Sequence, residues 1–77
     1  MSQYEKLDAL IVDAIKGGCH SFSSIISGRS LFDETLRLSH AIGRDTDRIV
    51  DGRLQALRRR GVIAHFSGRG WRVMEAG

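Results

Sequence analysis

The sequence predicts a small α+β domain in which three or four helices are followed by a C-terminal β-hairpin. Apolar residues recur at helical spacing along residues 4–60, and the repeat shortens to alternation after Gly61. The chain has 77 residues, of which 42% are hydrophobic. That length supports one thin hydrophobic core, so we expect a single domain over residues 1–77.

Composition excludes several classes of protein. The chain has no proline and one cysteine, which excludes collagen-like and disulfide-stapled chains. Every apolar run is shorter than the ~20 residues that span a bilayer, and the first residues do not form a secretory signal. We therefore expect a cytoplasmic protein without a membrane partner.

The first predicted helix covers residues 4–16. Its apolar positions follow helical spacing: Tyr4, Leu7, Ile11, Ala14 and Ile15. Gly17 and Gly18 are expected to end it.

The next stretch predicts either two helices or one bent helix. Ser21 can cap a short helix over residues 21–27, and Ser30 can cap a longer one over residues 31–42. The longer helix is expected to turn six residues inward: Leu31, Phe32, Thr35, Leu36, Ser39 and Ile42.

The last predicted helix covers residues 45–60, with Asp45 or Thr46 as its cap. Three residues at helical spacing form one apolar ridge: Val50, Leu54 and Leu57. We expect this ridge to be buried against the first helix.

Two β-prone runs within residues 62–74 predict a hairpin. They are separated by residues 67–70 (Ser-Gly-Arg-Gly), which favour a turn. Phe66 and Trp71 are expected to be core residues that pack the hairpin onto the helices, rather than base-stacking residues.

The segment from residue 45 to 63 resembles winged helix-turn-helix DNA-binding domains of bacterial or phage type. Its sequence is DTDRIVDGRLQALRRRGVI: a polar cap, an apolar residue, two leucines three apart, a charged run, a glycine and two β-branched residues. Residues 68–73 (GRGWRV) resemble the returning strand of the family's wing. The likeness extends over the whole chain in the order of elements and over residues 43–74 in detail.

The resemblance leaves one assignment open. In the family, the second helix joins the recognition helix through a short turn. Either residues 22–27 form that second helix and residues 29–42 are an insertion, or residues 31–42 form it.

Positive charge is concentrated in the second half of the chain. Residues 1–43 carry a net charge of −1 and residues 44–77 carry +4, and every basic residue of the second half is arginine. Arginine binds phosphate and guanine bidentately, and glutamine can pair with adenine. The candidate DNA-binding residues lie opposite the apolar ridge of the last helix or on the hairpin: Arg44, Arg48, Gly52, Gln55, Arg59, Arg69 and Arg72.

The resemblance implies a double-stranded DNA-binding protein, a small transcriptional regulator. Its recognition helix would enter the major groove, and its wing would contact the flanking backbone or the minor groove. A homodimer is expected, with Tyr4 and the outer side of the first helix at the seam. The alternative is a winged-helix adaptor that docks an acidic protein partner without binding DNA, since any surface helix presents a charged outer face.

No catalytic or metal-binding pattern is present in the sequence. Cys19 and His20 are adjacent rather than at ligand spacing, and His40 and His65 are distant in sequence. We therefore expect no enzyme, no metal, no cofactor and no small-molecule substrate. Cys19 is expected to be a small buried apolar residue.

Overall fold

A computed structural model describes residues 3–74, which form four helices followed by an antiparallel hairpin. The elements are α1 (Glu5–Lys16), α2 (Phe22–Ile26), α3 (Arg29–Ile42), α4 (Thr46–Arg59), β1 (Ile63–Phe66) and β2 (Gly70–Val73). This arrangement confirms the predicted α+β class and is consistent with the layout of a winged helix. Among residues 3–74, no helix is long and apolar enough to cross a membrane.

The middle of the chain forms two helices rather than one bent helix. The Ser21 hydroxyl accepts a hydrogen bond from the backbone N–H of Ser24 at 3.1 Å, which confirms Ser21 as the cap of α2. The prediction that Ser30 caps the longer helix is wrong. The Gly28 carbonyl already accepts from the N–H of Phe32 at 2.8 Å, so α3 begins at Arg29 and Ser30 lies within its first turn.

One hydrophobic core joins the four helices and the hairpin. It consists of twelve buried apolar residues: Leu7, Ile11, Ile15, Ile25, Leu31, Leu38, Ile49, Val50, Leu54, Leu57, Ile63 and Trp71. The predicted stripe of α1 and the predicted ridge of α4 are both part of this core. Cys19, expected to be buried, is only half-buried and packs against the edge of this core, just after the turn that ends α1.

The inward face of α3 differs from the prediction. Phe32 and Leu36 were expected inside, but they are 44% and 39% exposed. The buried stripe instead runs through Leu31, Thr35 and Leu38, because α3 carries apolar residues on two sides and its packing selects one of them. The Thr35 hydroxyl donates to the Leu31 carbonyl at 2.7 Å, which makes its burial tolerable.

A carboxylate also lies on the buried side of α3. Glu34 is held by two hydrogen bonds from Arg37, at 3.2 and 2.6 Å, and Lys6 of α1 lies 3.9 Å away. The hydrogen bonds from Arg37 lower the pKa of Glu34 below its ordinary value, against the opposite effect of burial. The ionised carboxylate therefore joins α3 to α1 at the rim of the core.

The hairpin is attached to the helical body through Trp71. Its side chain is 7% exposed, and its backbone N–H donates to the carbonyl of His20 at 2.7 Å. The His65 ring, opposite Trp71 in the register, packs edge-on against the indole with 4.9 Å between ring centres. The core role predicted for Trp71 is confirmed.

The core role predicted for Phe66 is wrong, since its side chain is 43% exposed. Successive residues of a strand point to opposite faces of the sheet. Because His65 and Trp71 face one another on the body side, Phe66 lies on the outer face of the hairpin.

Candidate nucleic-acid interface

Seven of the eight arginines in the second half of the chain are exposed: Arg44, Arg48, Arg58, Arg59, Arg60, Arg69 and Arg72. Within residues 3–74, six of them form no ion pair: Arg44, Arg58, Arg59, Arg60, Arg69 and Arg72. The carboxylate of Asp45 lies 4.0 Å from Nε of Arg48, at the limit of an ion pair. The surface thus carries positive charge that the described residues do not neutralise, and it can attract a polyanion.

The eighth arginine has a structural role that the sequence did not indicate. Arg53 donates two hydrogen bonds to the carboxylate of Asp8, at 2.9 and 2.8 Å, and its guanidinium lies 4.6 Å from the ring centre of Tyr4. The hydrogen bonds to Asp8 raise the pKa of Arg53 above its ordinary value. Arg53 therefore joins α4 to α1 and holds one face of the Tyr4 ring.

The outer face of α4 carries four of the predicted site residues at helical spacing: Arg48, Gly52, Gln55 and Arg59. Arg48 and Arg59 are exposed. Gln55 is half-buried, and its Oε1 accepts a hydrogen bond from Arg58 at 3.4 Å. The structure therefore adds Arg58 as a neighbour that orients the Gln55 amide.

Gly52 has open space around it. A Cβ built at this position would meet no atom within 4 Å. Close packing against another helix therefore does not account for this mid-helix glycine within the described residues. A bare stretch of backbone is left on the outer face of α4.

Arg44 lies off this face. It precedes α4, which begins at Thr46, and its carbonyl accepts a hydrogen bond from the Ser39 hydroxyl. Its placement on the helical face was wrong because the chain is not helical there, although the side chain is exposed.

The hairpin arginines lie beside α1 and α2. Arg69, in the turn, lines a cleft of about 420 Å³ together with His20 and Ser21. Arg72 shares a shallow pocket of about 450 Å³ with Lys16, the last residue of α1. Lys16 was missed because its distance from Arg72 in sequence hides their proximity. The candidate site thus has two parts, one on α4 and one on the hairpin with the end of α1.

Acidic residues border the α4 part of the site. Asp47 and Asp51 are both exposed and, being four residues apart on α4, lie on the same flank of the helix. Among residues 3–74, no three His, Cys, Asp or Glu side chains converge to form a metal site. That the chain lacks catalytic residues and cofactors stays a prediction.

The chain matches no protein-family model, no curated protein and no solved structure.

Proposed function

We propose that this protein is a cytoplasmic, double-stranded DNA-binding regulator of transcription of the winged helix-turn-helix type. In this proposal α4 is the recognition helix and enters the major groove, while the hairpin is the wing and contacts the flanking backbone or the minor groove. The observation that carries it is the set of exposed arginines without ion pairs at the end of α4 and on the hairpin.

The connection into α4 supports this assignment. Only residues 43–45 separate α3 from α4, a turn as short as the family's turn between the second helix and the recognition helix. We therefore assign α3 as the second helix of the motif and α2 as an addition before it. Arg48 and Gln55 would contact base edges, and Arg59 and Arg69 would contact phosphates.

A homodimer belongs to the same proposal, because a two-fold partner would place a second α4 on a second half-site. The outer side of α1 is the proposed seam. Tyr4, at the start of that helix, is half-buried and has Arg53 over one face of its ring.

The affinity for duplex DNA is expected to fall steeply as salt increases. Each phosphate neutralised by an arginine contributes a log–log slope of roughly −0.9, because counterions are released on binding. Arg69→Ala should reduce the magnitude of the slope by about one and weaken all sequences alike. Fluorescence anisotropy with labelled duplexes, measured over a range of salt concentrations, gives both quantities.

Lys6→Ala is the matched control, since it removes one exposed positive charge from the side of the molecule where α1 meets α3. It should leave the slope unchanged. Binding that does not depend on salt, or no binding to any duplex at low salt, would contradict the proposal and favour the adaptor.

Gly52→Ala is expected to raise stability and lower DNA affinity at the same time. Alanine should stabilise α4 by about 1 kcal/mol, because the new methyl group meets no neighbour in the protein. The same methyl group would keep a phosphate or base edge from the backbone, lowering affinity by roughly tenfold, the size of one lost contact. Thermal melting and anisotropy test the two effects, and an undiminished affinity would exclude a close approach at Gly52.

A further inference from the structure

Phe66 presents an aromatic ring to solvent at the end of the hairpin. It is the last residue of β1, directly before the turn, and 43% of its side chain is exposed. Its partner in the register is Gly70, which has no side chain to cover the ring from the neighbouring strand. The outer face of the hairpin therefore offers an uncovered aromatic surface.

The hairpin that carries this ring is positively charged. Residues 62–74 contain Arg69 and Arg72 and no acidic residue. Arg72 pairs with Ala64 in the register, which places it on the same face of the hairpin as Phe66. Arg69 lies in the turn, three residues after Phe66. An aromatic ring on a hairpin that carries arginines and no acidic residue is complementary to a nucleic acid, whose bases stack and whose phosphates are anionic.

The exposure of Phe66 does not come from a loosely attached hairpin. Ile63 and Trp71 are buried in the core, and the N–H of Trp71 donates to the His20 carbonyl. The strand that carries Phe66 is thus held on the helical body, and the ring is presented on a fixed support. A preorganised ring loses little freedom when it binds.

We propose that Phe66 is a base-stacking residue, whose ring packs against the face of a nucleobase while Arg69 and Arg72 bind the adjacent phosphates. This inference rests on the proposed DNA-binding function and deepens it, because it assigns to the wing a stacking contact with a base in addition to ionic contacts with phosphates. The base face is offered either by an unpaired nucleotide or by a kinked step in a duplex.

The test compares Phe66→Leu, which keeps apolar bulk, with Phe66→Tyr, which keeps the ring. The full chain is titrated into an intact duplex and into the same duplex with one bulged base, each carrying 2-aminopurine as a stacking reporter. Phe66→Leu should bind about tenfold more weakly without a change in salt slope, whereas Phe66→Tyr should bind like the parent. The 2-aminopurine response should disappear only in Phe66→Leu. Because Phe66 is outside the core, both variants should fold, and thermal melting checks this.

The two DNA forms identify the source of the base. A preference for the bulged duplex that Phe66→Leu abolishes supports an unpaired nucleotide, and equal weakening on both forms supports a kinked step. If Phe66→Leu binds both forms like the parent, the stacking inference is overturned while the DNA-binding function stands. If the parent chain binds neither form at low salt, the proposed function itself fails.

Discussion

Gly70→Ala is expected to abolish most of the stability of the fold. The φ of Gly70 is +79°, a backbone conformation that residues with a side chain rarely adopt. A Cβ at this position would also lie 2.2 Å from the carbonyl oxygen of His20, the atom that accepts the Trp71 hydrogen bond. The carbonyl oxygen belongs to the backbone, so the clash cannot be relieved by rotating a side chain. Strain and overpacking together should cost about 3 kcal/mol or more, a large part of the ~5 kcal/mol expected for a small domain.

Gly68→Ala is the matched control for this effect. Gly68 has nearly the same φ, +81°, but a Cβ there would meet no atom within 4 Å. Its replacement should cost only the conformational strain, about 1–2 kcal/mol. Denaturant unfolding of the two variants separates the contact with His20 from the strain. Equal losses in both would mean that the hairpin does not rest on His20.

Leu38→Ala is expected to have the second largest effect. Leu38 is 1% exposed and belongs to the core, so its truncation removes buried apolar surface and leaves a cavity. Such changes cost about 2–5 kcal/mol. The variant should unfold at a clearly lower denaturant concentration than the parent chain.

Leu36→Ala, two residues earlier on the same helix, is the control. Leu36 is 39% exposed, so its replacement should cost less than about 1 kcal/mol. The pair tests which side of α3 faces the core, because the sequence predicted Leu36 inside and the structure buries Leu38 instead. If Leu36→Ala were the more damaging change, α3 would have to present the opposite side to the core.

The order of elements and the faces of α1 and α4 were predictable from the sequence. Each of these helices has one apolar stripe, so helical spacing allows only one inward face. Local signals also placed the cap at Ser21 and the hairpin turn, which covers residues 67–69 because the last predicted turn residue, Gly70, already begins β2. Arg48 and Arg59 were predicted on the exposed side of α4 for the same reason, since they lie opposite Val50.

Three features were decided only by the tertiary structure. On α3 the apolar residues occupy two sides, and packing against α1 and α4 selected the side of Leu38 over that of Leu36. On the hairpin, the packing of Ile63 and Trp71 into the core decided which face is buried, and this exposed Phe66.

The third feature is the role of Arg53, which pairs with a carboxylate 45 residues earlier in the chain instead of joining the exposed arginines. Residues 44–77 contain eight arginines, and nothing in the sequence next to Arg53 marks it as the one that forms a structural ion pair. The sequence by itself determined the helices of residues 4–16 and 45–60, the C-terminal hairpin, the buried ridge of α4 and the concentration of arginine after residue 43. The partners of individual side chains were determined by contacts between elements distant along the chain, because local spacing describes which residues share a face and carries no information about what that face meets.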